Sequence, residues 1–134
     1  EKSMTPSTPS IGHIYALKSK LEEIMAEGLD ARFSRHAKLA QMTRDWAARQ
    51  GFTLFPEGGY ESQTLTCVNN GAKPGGREID VPKLQGLMKQ HGILIDGGYG
   101  RIKGKTFRLS SMGDETNETM QSLHNLLDES VSQL

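Results

Sequence analysis

The stretch Thr106-Phe107-Arg108-Leu109-Ser110-Ser111-Met112-Gly113 sets the tightest constraint on how this chain folds. Its first half alternates bulky apolar and polar residues, and side chains on a β-strand point to opposite faces with period two. Phe107 and Leu109 therefore face one side of a sheet and Arg108 the other. Two large apolar residues on one side call for a core. The arginine calls for water or an acid, because a guanidinium presents a rigid fork of donors that fits a carboxylate bidentately. A small carboxylic acid is one such partner; a solvated strand face is the plainer alternative.

Upstream, glycine and proline divide the chain into segments of alternating period. Thr8-Pro9 reads as a helix start, with threonine as N-cap and proline at the first helical position. Ile14, Leu17, Leu21, Ile24 and Met25 then form an amphipathic stripe that ends at Gly28. A second helix is expected between a cap at Asp30 and a stop at Gly51, with Phe33, Leu39, Ala40, Met42, Trp46 and Ala47 inward. Residues 52–55 and 63–68 read as strands, parted by Pro56 and Gly58-Gly59, and residues 69–76 as a loop. Asp80 caps a third helix that turns Val81, Leu84, Leu87 and Met88 inward and stops at Gly92. Residues 93–95 form a short strand leading into Asp96-Gly97-Gly98-Tyr99-Gly100, and after the Phe107 strand Asp114 caps a last helix carrying Met120, Leu123, Leu127 and Val131. The order predicts an α+β fold: a small, mostly antiparallel sheet with helices packed on one face, preceded by a connecting helix. Nothing obvious in the chain covers the sheet face that carries Arg108. It is solvated or docks on something else.

Bulk properties narrow the function. Sixteen basic and sixteen acidic residues cancel in a chain of 134, which leaves no electrostatic footprint for nucleic acid or an anionic membrane. A single cysteine excludes an internal disulfide and a multi-cysteine metal site. No apolar run approaches the roughly 20 residues of a membrane span, so a cytoplasmic setting is the expectation. Residues 1–10, rich in Ser, Thr and Pro, read as a loose segment of something longer. The Gly98–Thr106 stretch fails as a P-loop, because Tyr99 stands where that motif needs glycine and Thr106 enters a strand rather than a helix. His13, His36, His91 and His124 have no metal-ligand spacing. Cys67 reads as a small buried hydrophobe, and Glu22, Glu23 and Glu27 as a solvated face. Thr8 is a candidate anion contact, since a capping hydroxyl lies beside the free N–H groups of a first helical turn; a cap and nothing more is the plainer reading.

Phe107-Arg108-Leu109 through Met112-Gly113 resembles the F-R-I-x-x-M-G segment of class V pyridoxal-phosphate aminotransferases, in their serine/alanine–glyoxylate branch. Other matches follow in order: Thr8-Pro9 and Tyr15-Ala16-Leu17 to T-P and Y-A-L, Glu27-Gly28-Leu29 to E-G-L, and Arg35-His36 to R-H. Gly92-Ile93, Gly97-Gly98-Tyr99-Gly100 and Gly104-Lys105 complete the set. Each piece is weak alone, whereas their order and spacing are specific. The resemblance implies that residues 1–10 are a linker from an N-terminal large domain and residues 11–134 the C-terminal small domain of a fold-type I aminotransferase, active as a homodimer. It further implies that Arg108 binds the substrate α-carboxylate, that Thr8 contacts the phosphate of pyridoxal 5'-phosphate across the dimer, and that Arg35-His36 is structural. The tyrosine that the family carries three residues before its threonine is Thr5 here.

On this resemblance the Schiff-base lysine belongs to the large domain, so the isolated chain is expected to be inactive and to hold no cofactor. The full-length enzyme is expected to move an amino group between a small amino acid (serine, alanine or similar) and a keto acid such as glyoxylate or pyruvate. A cysteine desulfurase is disfavoured because residues 97–105 contain no cysteine. The name soluble hydrogenase subunit, carried by some relatives, does not fit a chain with one thiol. From another class, a free-standing α+β interaction module would present its open sheet face to a protein partner.

Overall fold

Gly28 joins two helices without any intervening loop. Helix α1 (Ile11–Glu27) ends there because a φ of 86° suits glycine, and the Gly28 N–H donates to the Ile24 carbonyl. Helix α2 (Leu29–Arg49) begins at the next residue, so Asp30 lies inside its first turn and is not the cap. The computed structural model describes residues 5 and 7–134 and divides into two compact units, the first ending at Ser34 and the second running Arg35–Leu134.

The first unit holds α1 and the opening of α2. Ile14, Leu17, Leu21 and Met25 form the expected stripe, and all four are exposed. Arg32 Nη1 donates to Glu27 Oε2 at 2.8 Å across the Gly28 joint. The N-cap of α1 is Ser10 and not Thr8, and Pro9 lies outside the helix. Serine is at least as good a cap residue as threonine, and the helix starts two residues on. Phe33, expected inward, is exposed.

In the second unit, strands β1 (Leu65–Asn69) and β2 (Thr106–Ser110) pair antiparallel with Val68 opposite Phe107, Cys67 opposite Arg108 and Thr66 opposite Leu109. The strands expected at 52–55 and 93–95 shrink to single bridges, Leu54 with Val68 and Asp96 with Arg108. Pro56 has no N–H to continue the first, and the glycines after Asp96 turn the second away. Cys67 is not buried: the register that sends Val68 inward turns Cys67 to the outer face beside Arg108, where it is half-buried.

The inner face packs Val68, Phe107 and Leu109 against Trp46 and Ala47 of α2, against helix α3 (Val81–Gln90) through Val81, Leu84 and Met88, and against helix α4 (Asn117–Val131) through Leu127 and Val131. Phe52 sits edge-on to Phe107 with centroids 5.3 Å apart, the arrangement that ring quadrupoles favour. Asp80 caps α3, as expected, by accepting from Lys83 N at 2.9 Å. For α4 the cap is Thr116 rather than Asp114. Thr116 and Thr119 each accept from the other's backbone N–H, and this reciprocal box satisfies two orphan donors at once.

His124 of α4 is buried and stacks on Trp46, with centroids 5.9 Å apart and planes 7° from parallel. The Thr43 hydroxyl donates to the Leu39 carbonyl, so its oxygen accepts from His124 Nε2–H at 3.2 Å. Burial, with a smaller push from the Arg49 charge against the pull of Asp128, holds the His124 pKa below its ordinary 6.5. Below that pH the unfolded chain binds more protons than the folded one, and stability drops. Denaturation midpoints are expected to fall as pH is lowered through 6.5, with a shallower fall in His124→Gln; equal slopes would show that another group dominates.

Candidate functional site

The β2 register sets the site. With Phe107 and Leu109 committed to the core, Arg108 lies on the outer face, and the bridge to Asp96 fixes a carboxylate beside it. The Arg108 N–H donates to the Asp96 carbonyl at 2.8 Å, so the two backbones are locked before the side chains meet. Arg108 Nε then donates to Oδ1 at 2.9 Å, and Nη2 lies 2.7 Å from Oδ2. This is a two-point, side-on ion pair in which the side chains keep 26% and 33% exposure. The sequence leaves the partner of Arg108 outside the chain; the structure supplies one from within.

Two further contacts hold the pair. The Gly98 N–H donates to Asp96 Oδ1 at 2.7 Å, and the Tyr99 ring lies against the guanidinium, 4.7 Å from its central carbon. The hydrogen bonding from Arg108, opposed by burial and aided by the Gly98 N–H, the Tyr99 hydroxyl and last the arginine's charge, lowers the Asp96 pKa from 3.8 to about 2. Reciprocally, the Asp96 carboxylate pushes the arginine's pKa up. Both groups are charged at neutral pH. Of the five N–H bonds of a guanidinium, the pair uses those on the Nε side, and Nη1 has no hydrogen bond among the described residues.

The surrounding segments are tied from several directions. Gly104 N donates to the Gly97 carbonyl at 2.7 Å, and the Asn70 side chain donates to the Gly104 and Ile79 carbonyls, each at 3.0 Å. Beyond β2, His36 Nδ1–H donates to the Ser111 carbonyl at 2.8 Å, and Arg35 Nη1 donates to the Glu115 carbonyl at 2.7 Å. Arg35 and His36 thus clamp the exit of the strand that carries Arg108. A surface cleft of about 530 Å³ opens between residues 93–95 and α4, with Arg108, Glu115 and Glu118 among its lining residues.

Arg108 and Thr8 belong to different units. Thr8 is exposed and lies two residues ahead of the α1 cap. Sequence reasoning missed Asp96, although the period-two signal reached it: with Ile93 and Ile95 on one face, one further residue of strand puts Asp96 on the other, the face of Arg108.

No family model matches the chain. It is 35% identical over 114 residues to an uncharacterized aminotransferase of Methanocaldococcus jannaschii, across 84% of this chain and 28% of that protein. It is 34% identical over 113 residues to a Synechococcus protein named soluble hydrogenase, small subunit, again across 84% and 28%. The fold matches the crystal structure of an alanine–glyoxylate aminotransferase from Nostoc sp. with a TM-score of 0.83 and 27% identity, over 98% of this chain and 34% of that one. Fold and sequence together define an aminotransferase C-terminal domain. The chain spans just over a quarter of the length of the curated relatives it matches. Its relatives and fold neighbours are aminotransferases, several of them named for glyoxylate.

Gly98 is the most exacting position in the loop. Its φ is +82°, and a Cβ there would lie 2.5 Å from Thr106 Oγ1 and 2.8 Å from the Ile102 carbonyl oxygen. Gly98→Ala is expected to cost about 1–3 kcal/mol in backbone strain alone, with the clash added, in a denaturant titration. An unchanged midpoint would mean that the loop relaxes freely.

Proposed function

We propose that this chain is the small domain of a pyridoxal-phosphate-dependent class V aminotransferase and that Arg108 binds the substrate carboxylate. The enzyme would pass an amino group between a small amino acid, such as serine or alanine, and a keto acid such as glyoxylate or pyruvate. Residues 1–10 then serve as the linker from an N-terminal large domain and residues 11–134 as the small domain, in a cytoplasmic homodimer. The observation that carries this reading is a partly exposed guanidinium, held rigidly on the outer sheet face of an aminotransferase fold, whose Nη1 makes no hydrogen bond among the described residues. The exposed stripe of Ile14, Leu17, Leu21 and Met25 supports it too, as a surface that further chain would cover.

The residues present fit part of the cofactor's needs. Ser10 makes no side-chain bond to the first-turn N–H groups of α1, and that turn contains no acidic residue. The Thr8 hydroxyl and those N–H groups have the chemistry to hold a phosphate, here from the neighbouring subunit. Pyridoxal phosphate, bound to the whole enzyme, would supply the electron sink that allows the substrate Cα–H bond to break. Arg108 would fix the direction of that bond by holding the carboxylate through two parallel N–H donors. The lysine that carries the cofactor would come from the large domain, so the isolated chain would not turn over.

Arg108→Ala in the full-length enzyme is expected to raise KM and to lower kcat/KM for an amino-acid donor by about 10²-fold or more, through loss of the charge-assisted pair. Steady-state kinetics would check it, and an unchanged kcat/KM would reject the role.

A further inference from the structure

We propose that Asp96 is a positioning residue for carboxylate binding: by holding the Nε side of Arg108 it leaves the Nη1–Nη2 edge as the one direction from which an external carboxylate can be bound with two hydrogen bonds. This rests on the reading of Arg108 as the substrate-carboxylate ligand and adds the residue that aims it.

Three observations carry the inference. The aspartate does not depend on the arginine for its own position, since the strand bridge sets its backbone and the Gly98 N–H holds its Oδ1 at 2.7 Å. The arginine's χ angles are in turn fixed by two bonds of 2.9 and 2.7 Å to that carboxylate and by the Tyr99 ring against its face. Finally, the guanidinium has two edges on which a carboxylate can sit with paired bonds, and Asp96 takes the one containing Nε. A long, flexible side chain loses rotamer entropy when a ligand immobilises it, and a partner that has already immobilised it removes that cost. The aspartate's charge works the other way by offsetting the arginine's positive field. At an exposure of about a third, water screens that repulsion, whereas orientation is not screened. Orientation therefore wins.

The test is a double-mutant cycle on the full-length aminotransferase that contains this chain, with acetate as the probe, read as its competitive inhibition constant against the amino-acid donor. Asp96→Ala and the nearly isosteric Asp96→Asn are each expected to raise that constant about tenfold or more when Arg108 is present. In an Arg108→Ala background neither is expected to change it further, because Asp96 acts only through the arginine. If Arg108→Ala weakens acetate but the Asp96 variants leave it unchanged or tighten it, the aspartate is a bystander or a competitor and this inference falls. Equal losses in both backgrounds would overturn it as well, by pointing to general damage. If Arg108→Ala does not weaken acetate, the underlying reading of Arg108 fails instead.

Discussion

The pairing of β1 with β2 in one register is the constraint from which the rest follows. It places Val68 opposite Phe107 on the inner face and Cys67 opposite Arg108 on the outer. A slip of one residue would exchange the faces, driving a guanidinium into the aromatic packing around Phe52 and Trp46 and pushing Phe107 into water. Because the desolvation cost of an unpaired buried cation far exceeds any ladder hydrogen bond, the core selects the register and the register aims the arginine. The same packing that folds the second unit therefore builds its candidate site.

The helices contribute more than a lid for the core. Trp46 of α2 and Gln50, just past its end, both donate to Asp128 Oδ1 of α4, at 2.7 and 2.8 Å, while Thr43 receives His124 from the same helix. At the other end of this stretch of α2, Arg35 and His36 hold the carbonyls that follow β2. One helix thus fixes α4 and also the segment leading into it. The residues at the exit of the arginine strand have few backbone partners of their own, so side chains take on that role.

Much of this architecture was legible in the sequence. The periods of 3.6 and 2 locate the four α-helices and the central strand pair, and the glycines at 28, 51 and 92 stand at or just beyond the helix ends, each with positive φ. What failed was local. Thr8 and Asp114 were reasonable caps in composition, but Ser10 and Thr116, close by, took those places, and choosing among several good cap residues depends on where the first turn can pack. Cysteine's usual burial argues for an inward Cys67, whereas the alternation with Val68 places it outward. Alternation puts Asp96 on the face of Arg108, but whether they pair across 12 residues depends on which strand edges meet. A propensity scale says nothing about that.

An internal acid on the arginine proposed to bind a ligand at first looks self-defeating. A partly exposed ion pair adds about 0–1 kcal/mol to stability, too little to explain three separate restraints on Asp96 and Arg108. Those restraints make more sense as geometry than as energy. A lone arginine on an open sheet face would sample many rotamers, and a ligand would meet its fork in the right orientation only a fraction of the time. Tied on one side to a carboxylate that is itself tied to Gly98 and to the strand, it presents a single edge. The cost is a weaker field toward anions; the gain is that any acid that binds must arrive from one direction. For the proposed amino transfer, in which one bond of the substrate has to stand at a set angle, direction counts for more than attraction.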